Sequence, residues 1–519
     1  MTPADFIITL AAILVALAVA AVMNLKWLRV AQRVHYLPGE VSRNQRLWFE
    51  RRPIGALWWA GAVVLAIVSF QGPEQLGVAA LAWLAVVAPV LIFPTPWRLP
   101  LKGTTSALQW TARAKRVYGG VLVLQVLTGA LAVWLVGPAG VVIPLLLGAH
   151  LTDLALAVLW QVERRLSHKF VVEARRKLKR VGPQVVAITG SYGKTSTKGY
   201  VAQIVGKSHQ TVASPASFNN MMGLSRTINE HLVVGTSVFV AEMGMNQEGR
   251  IRELCKLFTP DIAAITVIGE AHMERLGSQE AIFRAKAEIT ENAKTVILPV
   301  DQPELVALIE KCRREGKTVV TVSGQGKKAD VIVDPDLGLV TYGPDATPAP
   351  MAVPPFGHGV NVAVALGIAY VLKVPQDEAL ARLADLPVAA HRAEVQKMPD
   401  GVWIIDDTYN SNPVGAAHAV DEAAALAMER GGPLVVVTPG MVELGPVQFQ
   451  RNKELAERVV AADGTLMAVG LTNRKALVTG SAGAAQVFAT RSDAVTAALH
   501  AAGANGVILY ENDLPDHYP

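Results

Sequence analysis

The segment Ile188-Thr189-Gly190-Ser191-Tyr192-Gly193-Lys194-Thr195-Ser196-Thr197 carries the most explicit chemistry in this chain. It follows the apolar run Val185-Val186-Ala187 and precedes a helix-like stretch, Lys198 to Val205. A strand, a glycine-rich turn and a helix start form a phosphate cradle. Glycines let backbone N–H groups approach phosphate oxygens, and the helix N-terminus favours negative charge. Lys194 can reach terminal phosphates and Thr195 can hold Mg²⁺. The general pattern wants glycine at position 188, where this chain has Ile, so the motif is the shorter G-x-x-G-K-T form. Gly190, Ser191, Gly193, Lys194, Thr195 and Ser196 are the expected nucleotide-binding residues.

These residues need a framework that presents them. Short β-rich runs alternate with helical patterns from Gln184 onward: Val185–Ile188, Val238–Ala241, Ile262–Val267, Thr295–Leu298, Val402–Ile405, Leu434–Val437, Thr465–Val469 and Gly506–Leu509. The alternation predicts two doubly wound α/β domains divided near Leu386-Pro387. Polar clusters follow the runs. Glu242 stands just past the second, a usual position for a carboxylate that holds Mg²⁺ opposite a phosphate loop. Ser217 to Gly223, Gly269 to Arg275 and Ala285 to Ile289 are weaker signals singly, since a lone His is usually structural and a Lys-x-Glu usually a solvated helix face.

The first third of the chain differs in kind. Mean hydropathy is +0.33, high for a soluble enzyme. Nine of the ten Trp lie at or before Trp160. Residues 1–180 hold 20 Lys+Arg against 7 Asp+Glu, a net of +13, and residues 181–519 hold 28 against 36, a net of −8. That split reads as a membrane part joined to a soluble part, and no nucleic-acid partner is expected. Five apolar stretches approach spanning length: about Phe6 to Met23, Ile54 to Phe70, Leu76 to Phe93, Tyr118 to Val136 and Val141 to Trp160. Two of them as re-entrant segments would leave fewer spans. Connectors rich in Arg and Lys alternate with uncharged ones, which places the N-terminus outside and everything after Trp160 in the cytoplasm. His150 and Asp153, one turn apart in the fifth stretch, read best as a mutually satisfied pair, with a head-group site as the sharper alternative. Glu163 to Lys179 is a charged helix, lying along an anionic leaflet or serving as a solvated linker. Cys255 and Cys312 have no metal-ligand spacing.

In order along the chain, Gly190–Thr195, Asn219–Gly223, Glu242–Ile251, Gly269–Ser278, Ala285–Ile289 and Asp406-Asp407-Thr408-Tyr409-Asn410-Ser411-Asn412-Pro413 resemble the motifs of the Mur ligases. These are ATP-dependent amide-forming enzymes of peptidoglycan synthesis, and the likeness is greatest to the branch that adds D-alanyl-D-alanine. It runs from about Pro183 to the C-terminus. The apolar stretches delimit an α-helical membrane domain at residues 1–165 and the charged stretch a basic linker at 166–182, and the resemblance implies a central P-loop-type ATPase domain at 183–386 and a Rossmann-like α/β domain at 387–519. It implies ATP and Mg²⁺ as cofactors and an acyl-phosphate route in which an amine attacks the activated carboxylate. By the same resemblance Lys194, His272 and Lys286 are catalytic, and Thr195 and Glu242 hold one Mg²⁺. His272 holds a second, which a carbamate on Lys286 also ligates. Asn220 and Asn361 serve the nucleotide, Arg392 a phosphate and Asp407 the ribose, while Asn410 and Asn412 shape the cleft.

The chain also departs from the family. The usual members begin with a soluble domain that grips UDP, whereas apolar stretches occupy that place here. The expected partners are the membrane, a muramyl-peptide acceptor, soluble or lipid-linked, and an amino acid or dipeptide donor, at a bacterial cytoplasmic membrane. Gly357 stands where the family often has His, with His358 one step late. His391 precedes Arg392, Pro439 is unusual in its loop, and Asn452 replaces a His. Two other functions compete: a ligase for another amide polymer such as poly-γ-glutamate, and a silent scaffold, which the intact Lys194, Glu242, His272 and Lys286 disfavour.

Overall fold

A computed structural model describes residues 3–51, 57, 60, 99, 101, 107–136, 138–351, 359–387, 394–409, 411–515 and 518. They form two compact units, residues 1–166 with 514–519, and residues 167–513.

The first unit is helical. Its elements are α1 (Pro3–Arg33), α2 (Glu40–Arg51), α3 (Ala112–Val136) and the start of α4 (Gly148–Val181). Ile13–Arg33 and Ala112–Leu135 are each long and apolar enough to cross a bilayer. The second and third expected spans lie outside the described residues. The fifth is not one straight helix, because Gly140–Leu146 and α4 meet at 67°. Pro144 sits in the first turn of its short helix, where a missing N–H costs nothing. Gly148 then restarts the chain where an added Cβ would lie 3.3 Å from Trp27 Nε1. Buried Asn24 and Gln125 exchange two hydrogen bonds of 2.7 and 3.0 Å between α1 and α3, and Arg116 grips Glu163 at 2.6 and 2.8 Å.

Asp153 has a different partner from the one its spacing suggests. Its carboxylate accepts the backbone N–H groups of Val41 and Ser42 at 3.2 and 2.9 Å, and so satisfies the first turn of α2. His150 is exposed. The reading of a satisfied pair is corrected to a satisfied helix terminus. The residues expected to form a basic linker are the second half of α4.

The second unit holds two sheets. The first contains β1 (Gln184–Thr189), β2 (Thr211–Ala213), β3 (Val238–Glu242), β4 (Ile262–Ile265), β5 (Thr295–Pro299), β6 (Thr318–Ser323), β7 (Val331–Asp334), β8 (Leu339–Tyr342) and β9 (Ala349–Pro350). Their order is β2-β3-β1-β4-β5-β6-β7-β8-β9. Pairing is parallel as far as β7, and the last two pairs are antiparallel. Val185 to Ile188 are all buried, which explains the unbroken apolar run, since helices cover both faces. One face packs α5 (Lys194–Val205) and α7 (Gly359–Val371), and the other packs α6 (Met221–His231) with the helices Arg250–Leu257, Gln279–Ala287 and Pro303–Arg314. Strand order reverses at β1, which lies between β3 and β4 with Ile188 beside Glu242 and Thr189 beside Ile265. Such a switch point opens a crevice at the carboxyl ends of the strands.

The second sheet has the order β10-β11-β15-β12-β13-β14. These strands are β10 (Glu394–Lys397), β11 (Trp403–Asp407), β12 (Leu434–Thr438), β13 (Thr465–Val469), β14 (Gln486–Phe488) and β15 (Val507–Glu511). Only β10 runs antiparallel to its neighbour. Helices α8 (Pro413–Arg430) and α9 (Gln448–Ala461) cover one face and α10 (Arg491–Ala502) the other.

Candidate active site

The loop between β1 and α5 is shaped by what surrounds it. Gly193 precedes α5 with φ 76°, a left-handed conformation that glycine adopts without strain. A Cβ there would meet Asn361 Oδ1 at 2.0 Å, and one at Gly190 would meet Thr266 Oγ1 at 1.9 Å. Side chains from α7 and from the end of β4 therefore fill the space that any larger residue would need. Ser191 N–H donates to Val267 O at 2.6 Å, and Ser191 Oγ donates to Gly269 O at 3.0 Å.

Two lysines converge on this loop. Lys194 Nζ donates to Gly190 O at 2.8 Å, and Lys286 Nζ donates to the same oxygen at 2.9 Å. Lys286 comes from the helix Gln279–Ala287 and is only 2% exposed. Burial first, and the charge of Lys194 second, hold its amine well below the ordinary lysine range. A neutral amine is the form that can add CO₂.

Glu242 ends β3 and is 1% exposed. Oε2 accepts from Thr195 Oγ1 and from Lys198 Nζ, both at 3.0 Å, and Oε1 accepts from Asn219 Nδ2 at 2.9 Å. Burial pushes its carboxyl up, but Lys198, Lys194 and the Asn219 bond outweigh that and leave it below the usual range. Lys198 also donates to Ala216 O.

These observations allow a test of fit for the two cofactors. Asn361 is 3% exposed, and its Oδ1 has no hydrogen-bond partner among the described residues. A buried acceptor beside the glycine loop, with no room for a Cβ, fits a nucleotide. Thr195 and Glu242 present a hydroxyl and a carboxylate together, the oxygen donors that Mg²⁺ prefers. Among the described residues no group of three or more His, Cys, Asp or Glu side chains could hold a metal. The site is a mixed donor set, in which Lys286 could contribute oxygen only after modification.

His272 lies elsewhere on the rim. Its φ of 64° places it before the short helix Met273–Leu276, and its Nδ1 is 2.8 Å from Glu443 Oε2. Arg451, in the first turn of α9, makes a second tie, binding Glu270 at 2.8 and 2.6 Å. Tyr409 and Ser217 share a third bond. Asn220 caps α6 by accepting Gly223 N–H at 2.9 Å, so its neighbour Asn219 is the residue that reaches Glu242. Asn412 likewise caps α8 through Gly415 N–H. Asp407 ends β11. Arg392, His391, Gly357, His358 and Asn410 lie outside the described residues.

Sequence reasoning missed the residues that serve others. Lys198, Thr266, Glu270, Glu443 and Arg451 have no motif value alone; the register of β1, β3 and β4 brings Glu242 within reach of Lys198 on α5 and sets Thr266 against the loop. Asn452 accepts Met441 N–H at 2.7 Å and donates to Met441 O at 3.0 Å, so it clamps the Thr438–Gly445 loop from within. Glu511, fully buried at the end of β15, pairs in register with Asp407. It accepts from Ser411 Oγ, and from Thr438 Oγ1 at 2.9 Å.

Comparison with known proteins places this architecture. A model described as the Mur ligase middle domain matches residues 188–345, and one described as the Mur ligase glutamate ligase domain matches residues 391–510. The chain is 31% identical over 287 residues to the UDP-N-acetylmuramoyl-tripeptide--D-alanyl-D-alanine ligase of Bacillus subtilis, covering 54% of this chain and 61% of that one. It is 33% identical over 252 residues to the protein of that name from Mycobacterium leprae, covering 45% and 48%. The match thus spans about half to three-fifths of these relatives' length. Among solved structures, MurF from Acinetobacter baumannii has a TM-score of 0.56 at 22% identity, covering 66% of this chain and 76% of that one. MurF ligase from Thermotoga maritima in complex with ADP also gives 0.56 at 22% identity, covering 66% and 79%. At this identity these two share the fold.

Proposed function

The chain belongs to the Mur ligase family, and from that premise we propose that it is an ATP-dependent ligase that joins an amino component to a muramyl-peptide carboxylate at a membrane surface. The observation that carries the reading is the convergence of Lys194 and Lys286 on Gly190 O beside the Thr195–Glu242 pair. The named relatives act with D-alanyl-D-alanine on a muramoyl tripeptide, and that specificity is the one we assign.

In this reading the backbone of Gly190 to Gly193 and the start of α5 hold the nucleotide phosphates, and Lys194 neutralises them. Thr195 and Glu242 would hold one Mg²⁺, and His272, with Lys286 once carbamylated, would hold a second. Bound Mg²⁺ supplies charge neutralisation on the phosphoryl group in transfer. Lys198 and Asn219 fix the Glu242 carboxylate. Asn361 meets the nucleotide, and Arg392 and Asp407 contact it from the second sheet. The reaction moves the γ-phosphoryl group to the acceptor carboxylate. The amine then attacks the acyl phosphate, the C–O bond to phosphate breaks, and phosphate leaves as the amide forms and the amine nitrogen releases a proton to solvent. The His272–Glu443 and Glu270–Arg451 contacts support a site assembled from both sheets.

The membrane placement is supported by the two spanning-length helices and by an exposed apolar stripe on α3, Val123, Val126, Leu127, Leu131 and Trp134. The arginine-rich connectors put the ligase on the cytoplasmic side. We assign a lipid-linked acceptor, since two helices of spanning length would hold the ligase at a bilayer.

The test supplies membranes containing the full chain with Mg-ATP, D-alanyl-D-alanine, and either UDP-linked or lipid-linked muramyl tripeptide. Products are identified by mass spectrometry. Amide product and ADP release, both abolished by Lys194→Ala, are expected. No acceptor-dependent ADP release with either substrate sinks the ligase reading, and exclusive use of the UDP-linked form sinks the lipid-linked part.

A further inference from the structure

The carboxyl end of β15 carries a buried group that the ligase reading does not use. Glu511 is the last residue of this strand and is fully buried. The groups that act on its carboxyl are Ser411, Asp407 and Thr438, and none is a cation. A buried carboxyl without a counter-charge costs stability, and an apolar side chain would pack there more cheaply. Its value lies in geometry.

β15 runs between β11 and β12, and both neighbours are parallel to it, so all three strands leave the sheet at the same edge. Glu511 Oε1 accepts from Ser411 Oγ in the loop after β11. Its Oε2 accepts from Thr438 Oγ1, at the end of β12, at 2.9 Å. The next residue repeats the pattern. Asn512 donates its backbone N–H to Asp407 O at 3.0 Å and its Nδ2–H to Gly440 O at 2.7 Å. It does so at a φ of 62°, in a region that Asn adopts more readily than most side chains. Two successive residues thus each bind both flanking loops.

Both loops continue to the first sheet. The loop after β11 carries Tyr409, which bonds Ser217. The loop after β12 carries Glu443, whose carboxylate meets His272 Nδ1 at 2.8 Å and whose carbonyl accepts Glu274 N–H at 3.1 Å. At the far end of that loop a Cβ on Gly445 would lie 3.0 Å from Glu274 Cα. Within it, the Asn452 and Asn473 amides each donate to Met441 O at 3.0 Å. A segment braced from inside and packed at its end transmits a displacement along its length, so a shift at Thr438 reaches Glu443.

We propose that Glu511 is a positioning residue of the ligase reaction, which holds the loops after β11 and β12 at a fixed spacing so that Tyr409 and Glu443 reach the first sheet together. Its effect on rate rests on the ligase reading, whereas its effect on the loops does not, and the test measures the two separately.

The full chain in detergent is compared as wild type, Glu511→Gln and Glu511→Met at pH 8, where a carboxyl raised to about 7 is mostly ionised. Gln keeps an acceptor for one hydroxyl and offers an N–H to the other, whereas Met offers neither. Ser411→Ala, which cuts one link only, is a second variant should Glu511→Met fold poorly. Hydrogen exchange across residues 270–277 of the first sheet is followed by mass spectrometry, and kcat and KM for ATP are taken from acceptor-dependent ADP release. Residues 270–277 are expected to exchange faster in Glu511→Met, with kcat lowered about 30-fold and KM for ATP changed far less. Glu511→Gln should restore both readouts towards wild type. Wild-type exchange across 270–277 in Glu511→Met overturns the proposal, as does faster exchange with kcat unchanged or an equal loss in Glu511→Gln. Faster exchange in Glu511→Met, when even the wild type releases no ADP, overturns the ligase reading and leaves the hold on the loops.

Discussion

Lys286 and Lys194 donate to one and the same carbonyl oxygen, that of Gly190, at 2.9 and 2.8 Å. Two amines on one acceptor cannot both stay charged cheaply in a buried site, and burial first, with the charge of Lys194 second, holds the more deeply buried Lys286 well below the ordinary lysine range. The unfolded chain would take up a proton at this amine below about pH 10.4. Stability should therefore rise with pH from the depressed folded value towards that limit. Lys286→Met should remove the rise in the unfolding midpoint, while ligase activity is lost. If the amine carries CO₂, activity should also fall in CO₂-depleted buffer and return with bicarbonate. Insensitivity to bicarbonate would refute the carbamate.

The buried pair Lys198–Glu242 gives a second expectation. Lys198→Met leaves the Glu242 carboxylate without its cation, at a cost of about 3–5 kcal/mol. Adding Glu242→Gln should recover part of that loss. Glu242→Gln alone should raise the Mg²⁺ concentration needed for half-maximal rate, measured by ADP release. An unchanged Mg²⁺ requirement would remove Glu242 from the metal set.

Arg451 of α9 and Glu270 of the loop after β4 tie the two sheets together. Arg451→Ala and Glu270→Ala should each lower kcat/KM about tenfold, and the double variant should be no worse than either. Additive losses would mean that the two residues act separately.

Glu511 is fully buried, and burial raises its carboxyl to about 7, with Asp407 adding to the shift and Ser411 and Thr438 opposing it. Its unperturbed value is 4.5. The folded protein thus holds this proton more tightly than the unfolded chain. The contribution of Glu511 to stability is fully present below about pH 4.5 and is lost, by about 3 kcal/mol, as pH rises to about 7. Glu511→Gln should flatten that part of the profile in thermal unfolding at pH 5, 6, 7 and 8. A profile parallel to wild type would show that the carboxyl titrates normally.

Gly193→Ala should weaken ATP binding more than it weakens the fold. The added methyl would stand 2.0 Å from Asn361 Oδ1 at a φ of 76°. Asn361→Ala in the same chain should restore part of the binding, and equilibrium binding of labelled ATP measures both.

The strands were legible because their apolar runs are continuous. Val185–Ile188, Val238–Ala241 and Leu434–Val437 each became a strand buried on both faces. The glycine loop was legible because local backbone demands fix its residue types. Asn219 and Asn220 show the limit. They are chemically identical neighbours, and one caps a helix while the other holds Glu242, which depends on where α6 begins. Asp153 shows it again, since its partners Val41 and Ser42 are backbone groups distant in sequence, and backbone groups carry no side-chain signature. The antiparallel extension β7–β9 was not signalled, because its strands are only two to four residues long and their alternation of burial covers too few residues to show as a period in the sequence.

The contact between His272 and Glu443 has a further consequence. An imidazole has two nitrogens, and Glu443 engages Nδ1. Only Nε2 is then left for a cation, and the carboxylate fixes which tautomer the ring adopts. Any movement that withdraws Glu443 changes how well the ring can serve as a ligand. By reciprocity a cation bound there would resist that withdrawal. Metal affinity at His272 would thus act as a gauge of inter-sheet geometry, one that can be read in solution without any substrate.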